Sequence, residues 1–339
     1  MPGLISFVLF CCLYFSIGPA LAAENTPRGV STSNFKTYSV RMDTTVKAPA
    51  TGPRCINVRV WHALPTHRPW SQMPSPYGTL DQHAQPAGSV LESENDRRST
   101  HILWNSKNGQ LPNQEIHYIS DFRVISPDRR FDTYSCHLSW VDMLRYGTEN
   151  QVKFSDPSTE VSTLAEKLKY NKQPCETIIE FSKWLRENFT YDAATTLPGD
   201  DVVAILRARR GHCLHIMTVF GALCDAAKIP CRAVKGLNLH YPTGNSDVDQ
   251  SRNDYTNGHV WAEVYLPDSG WIEVEPFGGE KCFVIPSNYV QNNTSFQNYA
   301  VWVWEQGQAP RLPRWVLRGS KYVSDYGVDH KVTYSESRL

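Results

Sequence analysis

The stretch RARRGHCLHIMTVFGALCDAAKIPCR, residues 207–232, decides how the second half of this chain is read. It holds three cysteines and two histidines, and Cys213 follows Gly211-His212 directly. From Cys213 onward, Ile216, Val219, Phe220, Leu223 and Ala227 recur at the spacing of one helix face. Cys213 therefore stands at a helix start, where the dipole and the unpaired backbone N–H groups stabilise a thiolate. The thiolate is the reactive form, so the position favours a nucleophile. Cys224 falls in mid-helix and Cys231 opens the next strand, positions that suit core or disulfide residues, because apolar burial raises a thiol's pKa. A disulfide-stapled module with Cys213 in a bridge is the competing reading. A metal site is disfavoured: neighbouring helical residues point about 100° apart, and no CxxC partner is present. His212 is expected to line a cleft, and His215 to be packed or at the surface.

Downstream, HVWAEVYL and GWIEVEPF read as two strands joined by a tight turn at Pro267-Asp268-Ser269-Gly270. His259 opens the first. Alternation places Trp271, Glu273 and Glu275 on one face of the second. An acid beside a histidine on the neighbouring strand fixes the imidazole tautomer and turns its other nitrogen toward a thiol. The candidate constellation is Cys213, His259 and Glu275, with Glu273 as the second candidate for the acid. Trp261 and Glu263, on the histidine's strand, are expected to be scaffolding. Two further features flank this block. Ile178, Phe181, Leu185 and Phe189 mark a helix that starts near Pro174, and LPGDDVVAILRARRG predicts a short helix after a turn.

The first half has a different period. YSVRM alternates Tyr38, Val40 and Met42 with polar neighbours, and CINVRVW, IHYISDFRVIS (116–126) and FDTYSCHLSWV (131–141) are also strand-like. Short strands separated by Pro-, Gly- and Ser-rich joins predict a β-sandwich. The expected organisation is a signal peptide over 1–22, a sandwich over 34–155, a catalytic domain over 160–290, and a C-terminal strand and tail over 291–339. The polar stretch 146–160 acts as the linker. The second half is then helices followed by antiparallel strands, an α+β arrangement.

RRGHCLHIMTVFGALCDAAKIPCRAVKGL and GHVWAEVYLPDSGWIEVEPF together resemble the transglutaminase-like superfamily, within the papain-like cysteine peptidase fold group. The resemblance covers about residues 160–285 and is to exported bacterial members. It implies Cys213 as nucleophile, His259 as general base and acid, and Glu275 as the orienting acid. The family usually has Asp where this chain has Glu275, whose carboxylate reaches one methylene further. The preceding β-rich half is similar to the sandwich that precedes this domain in many bacterial members.

The N-terminus carries an apolar run from Leu4 to Ile17 followed by Ala20-Leu21-Ala22, the pattern of a secretory signal with a small-residue cleavage site. Export to the periplasm or the medium follows, with no membrane association after cleavage. Removal of Cys11 and Cys12 leaves seven cysteines, an odd number that in an oxidising setting implies one free thiol beside up to three bridges. The 339 residues carry 34 basic and 34 acidic side chains without a long run of either sign, which argues against a nucleic-acid partner. No cofactor is expected. Asp247, Asp249 and Asp254 lie in a polar loop lacking the Gly and terminal Glu of a calcium loop. Sequons occur at Asn188, Asn292 and Asn293. The backbone N–H of Cys213 is the expected oxyanion donor, with Tyr191 as a candidate second. The expected activity is hydrolysis of a peptide or protein amide through a thioester, since the chain lacks the further C-terminal sandwiches of animal crosslinking enzymes. Transfer to an amine (a transglutaminase) and a catalytically impaired scaffold are the alternatives.

Overall fold

The alternation in YSVRM buries Tyr38, Val40 and Met42 on one side of an 18-residue strand around which the first half of the molecule is built. The structure is a computed structural model, and it describes residues 27–48, 50, 56–65, 81–85, 89–95, 100–106, 113–133, 136, 138–146, 158–239, 258–293, 299–305 and 327–338. The signal segment, Cys55 and the Asp-rich loop lie outside these residues. In chain order the strands β1 (Val30–Lys47), β2 (Ile56–Leu64), β3 (Asp81–Gln85), β4 (Ser89–Asn95), β5 (Thr100–Ser106) and β6 (Glu115–Phe131) come first. Helices α1 (Trp140–Tyr146), α2 (Thr159–Lys169) and α3 (Pro174–Asn188), strand β7 (Thr190–Tyr191), helix α4 (Val202–Ala208), strand β8 (Arg210–Gly211) and helix α5 (Cys213–Ala227) follow. The chain then runs through β9 (Cys231–Asn238), β10 (Gly258–Leu266), β11 (Gly270–Val274), β12 (Val284–Ile285), β13 (Tyr289–Asn293), β14 (Tyr299–Glu305) and β15 (Gly327–Arg338).

Two sheets form the β-rich part. One has the order β12-β6-β1-β15 with β3 also on β6, and the other the order β14-β2-β5-β4. Val60 of β2 packs with Tyr38, Met42, Tyr118 and Phe122 of β1 and β6, so the apolar faces of the two sheets meet. Between them Thr44 bonds two buried imidazoles, His62 Nε2 at 2.8 Å and His330 Nδ1 at 2.7 Å, and Ser120 Oγ meets His62 Nδ1 at 2.8 Å. Burial holds His62 down to about 3, so both it and His330 stay neutral.

The second part is a four-stranded antiparallel sheet, β11-β10-β9-β13, with α5 packed against it and α2, α3 and α4 around α5. Helix α5 is apolar nearly all round; Ile216, Val219, Phe220, Leu223 and Ala227 are all buried, which makes it the central core helix. Pro174 opens α3, where its missing N–H has no intrahelical acceptor to lose, and Glu176 reaches back to the Gln173 N–H at 2.8 Å. The fold is α+β.

Two features depart from the sequence reading. Over the described residues of 131–141 the strand reading does not hold: β6 ends at Phe131, and Ser139 precedes α1, exchanging bonds with Asp142. The cap outcompetes the β propensity of Trp140 and Val141. The segment read as C-terminal strand and tail supplies two strands to the sandwich: β14 pairs with β2, and β15 pairs with β1 over twelve residues. Together with β12 on β6 and β13 on β9, these strands interlace the two parts of the chain. No helix among the described residues is long and apolar enough to cross a membrane.

Candidate active site

Close packing before α5 sets the position of Cys213. Strand β8 runs parallel to β7, held by Thr190 N–H to Arg209 O (2.9 Å) and Asp192 N–H to Gly211 O (3.0 Å). A Cβ on Gly211 would lie 2.5 Å from Cβ of His215, so only glycine lets the β8 backbone meet the first turn of the helix. His212 is the N-cap; its backbone is extended and its Nδ1 accepts from the Leu214 N–H at 3.3 Å. Cys213 follows as the first helical residue and is half-buried, and its own N–H points with the other first-turn donors out of the helix.

His259 lies at the open end of β10, in register with Gly236 of β9. A side chain at Gly236 would run into the Val290 carbonyl and the Trp261 ring, so glycine keeps β9, β10 and β13 close beneath the imidazole. Glu275 stands one residue past β11, in a turn closed by the Gly278 N–H bond to its carbonyl (2.9 Å). Its Oε2 meets His259 Nε2 at 2.9 Å and its Oε1 accepts from the Phe277 N–H at 3.1 Å. The extra methylene relative to Asp is taken up by this turn, and both oxygens are held. With Nε2 engaged by Glu275, Nδ1 is left for the Cys213 thiol, to which His259 is also hydrogen-bonded.

The electrostatics follow from these contacts. Burial pushes the Cys213 thiol up, but hydrogen bonds from His212 and His259, with the charge of the His259 imidazolium, outweigh it and bring the thiol down to about 6. Burial lowers His259, but the Glu275 carboxylate and the bonds to Cys213 and Glu275 lift it to about 10. Near neutral pH the stable form of the pair is thiolate and imidazolium.

The structure thus brings Cys213, His259 and Glu275 together. Glu273, the second candidate for the acid, faces another way. It takes Arg129 Nε at 2.6 Å and the Trp261 indole N–H at 3.0 Å, and makes no bond to His259. His212, read as a cleft residue, touches the thiol itself, a contact that the apolar periodicity of the helix could not reveal. His215 is buried with its Nε2–H on the Leu197 carbonyl (2.9 Å), and burial lowers its pKa. Glu263 is a buried scaffolding partner of Arg232 (2.6 Å). Tyr191 lies on β7 beside Gly211, with its ring 6.2 Å from that of Phe277.

The cysteine count resolves differently from its arithmetic. Cys136 meets Cys175 at disulfide distance, with 6.4 Å between Cα atoms, while Cys213, Cys224, Cys231 and Cys282 are all free thiols. Among the described residues four thiols are free, and Cys224, Cys231 and Cys282 serve as small core residues. Burial and the neighbouring Cys231 push Cys224 well above its usual value. Of the sequons, Asn292 is fully buried, and the Asn188 amide is bonded to Trp184 O at 2.8 Å. Among the described residues no group of three or more His, Cys, Asp or Glu is placed to hold a metal ion.

Comparison with known proteins agrees with this architecture. The family model of the Transglutaminase-like superfamily matches residues 162–276, and these residues form a transglutaminase-like domain. The crystal structure of a candidate cysteine protease from Cytophaga hutchinsonii superposes with a TM-score of 0.60 at 13% identity, over 91% of this chain and 93% of that one. The fold is therefore shared along nearly the whole length, sandwich included. The uncharacterized Bacillus subtilis protein YebA is 29% identical over 113 residues, which is 31% of this chain and 15% of YebA, so the likeness reaches only a small part of that protein. The periplasmic domain of Pseudomonas aeruginosa TgpA is 19% identical over 68% of this chain and 91% of that one, with a TM-score of 0.34.

Proposed function

We propose that this chain is an exported cysteine enzyme that hydrolyses peptide or protein amide bonds through a Cys213–His259–Glu275 triad. The carrying observation is the unbroken line of contacts from Glu275 through His259 to a thiol lowered to about 6 at a helix N-terminus. Cys213 Sγ attacks the amide carbonyl carbon, and the Cys213 N–H at the start of α5 faces the developing oxyanion. The C–N bond breaks as His259 gives its proton to the leaving amine, which departs and leaves a thioester. Neutral His259 then takes a proton from water as its oxygen attacks the thioester. The acid leaves, and the thiolate–imidazolium pair is restored. Glu275 holds the ring in place and stabilises its charge through both steps. No cofactor is needed.

Hydrolysis is the reading we adopt over amine transfer; Cys213 is half-buried, which leaves its sulfur open to an incoming acceptor. The Cytophaga hutchinsonii relative, described as a candidate cysteine protease, matches in both parts of the chain. Export is supported by the apolar N-terminal segment ending in Ala20-Leu21-Ala22, and by the Cys136–Cys175 pairing, which suits an oxidising compartment.

The test is turnover of a fluorogenic peptide library by the mature protein and by Cys213→Ala, with a primary amine added in parallel. Hydrolysis that disappears in the variant supports the reading. Product that carries the amine would redirect it to transglutaminase chemistry. A Cys213 that neither turns over peptides nor traps an acyl group would leave a scaffold.

A further inference from the structure

A fully satisfied polar cluster outside the triad joins the sandwich to the aromatic rings around His259. Arg129, on β6, is a buried guanidinium whose five N–H groups find five acceptors. Nε bonds Glu273 Oε2 at 2.6 Å, and Nη2 bonds Glu273 Oε1 at 3.2 Å and the Tyr289 carbonyl at 3.1 Å. Nη1 bonds Ser126 Oγ at 3.1 Å and the Pro127 carbonyl at 3.0 Å. Glu273 Oε1 also takes the Trp261 indole N–H at 3.0 Å. The two aromatic residues held this way, Trp261 and Tyr289, are the ones whose rings lie against His259. Trp261 stacks on it at 5.8 Å with 21° between planes, and Tyr289 meets it edge-on at 4.7 Å. Trp261 and Tyr289 also pack on each other at 5.3 Å.

We infer that Arg129 and Glu273 are positioning residues for His259: the sandwich, through this buried pair, holds the Trp261 indole and the Tyr289 backbone, whose rings flank the imidazole and set its plane. The inference rests on the triad reading above. A hydrogen bond to Glu275 alone leaves the ring free to swing about its Cβ–Cγ bond. Two aromatic walls remove that freedom, and a bidentate ion pair with an indole N–H keeps the walls still. The two parts of the chain are then one catalytic unit, with the sandwich supplying geometry to chemistry performed 130 residues later.

The test compares the pH profile of Cys213 alkylation by iodoacetamide, together with kcat and KM for peptide hydrolysis, across three proteins. These are the wild type, the double variant Arg129→Met/Glu273→Met, and Trp261→Phe. The double variant removes both charges at once and leaves no orphaned ion. Trp261→Phe leaves the Arg129–Glu273 pair intact, removes the indole N–H bond and trims the ring stacked on His259, so it carries the test if the double variant does not fold. The expected result in folded variants is an alkylation profile displaced to higher pH and a kcat lowered roughly ten- to hundredfold with KM little changed. Folded variants with the wild-type profile and kcat overturn the inference while leaving the triad standing. A wild type that alkylates only at ordinary thiol pH overturns the triad reading, and this inference with it.

Discussion

Helix α5 carries two thiols eleven residues apart that the fold treats in opposite ways. Cys213, at its first position, is brought down to about 6, and Cys224, in mid-helix, is pushed well above its ordinary value. Burial acts on both in the same direction. The difference lies in what faces the sulfur: two imidazoles and a helix N-terminus for Cys213, apolar side chains and a second thiol for Cys224. Position along one helix thus sets the two thiols' pKa directions, and under the proposed function the first turn of α5 is its reactive end and the middle is inert.

The comparison can be broken most severely at the sulfur. Cys213→Ala is expected to lower peptide turnover by about a thousandfold or more, whereas Cys224→Ala is expected to leave it within about twofold and lower only the melting temperature. Steady-state kinetics and thermal melts on the two variants check this. His259→Ala comes next. It removes the hydrogen bond and the charge that favour the thiolate, so the Cys213 alkylation midpoint should climb from about 6 toward the ordinary thiol range, with turnover lost. Glu275→Gln keeps an acceptor near the ring but removes the charge. The alkaline limb of the rate profile, set by His259 near 10, should move down, with kcat reduced roughly tenfold. The smallest effect is expected at His212→Ala, which takes away one of two imidazoles: the Cys213 midpoint rises while the His259–Glu275 bond and most of the turnover remain.

A second contrast sets these histidines against those of the sandwich. His259 is held charged by Glu275, while His62 is buried among hydroxyls and held neutral near 3. Because the folded pKa of His62 is depressed, its stabilisation is complete above about 6.5 and is lost as pH falls, since only the unfolded chain takes up the proton. The unfolding free energy measured by denaturant titration from pH 6.5 to 5 should fall by up to about 1.4 kcal/mol per pH unit for this residue. His62→Gln should flatten that slope.

Much of the site was legible in the sequence because its signals are local. Gly211-His212-Cys213 before an apolar helix, and two strands joined by Pro-Asp-Ser-Gly, are short-range patterns, and α5, β10 and β11 formed where they were read. The choice between Glu273 and Glu275 was not legible from alternation, which assigns both to one face although Glu275 lies past the end of β11, in a turn. What separates them is Arg129, 144 residues from Glu273, a contact that no periodicity encodes. The same holds for β15 on β1, a pairing between the two ends of the chain. Helix α1 is a different case: Ser139 and Asp142, three apart, carried a capping signal that the aromatic and β-branched content of 131–141 outweighed in the reading.

The central claim is tested most directly by mapping alkylation site by site in the folded protein between pH 5 and 10. The account predicts that Cys213 is labelled with a midpoint near 6 while Cys224, Cys231 and Cys282 stay unlabelled until the protein unfolds. Labelling of Cys213 no earlier than Cys224, or recovery of Cys213 in a disulfide, would contradict it.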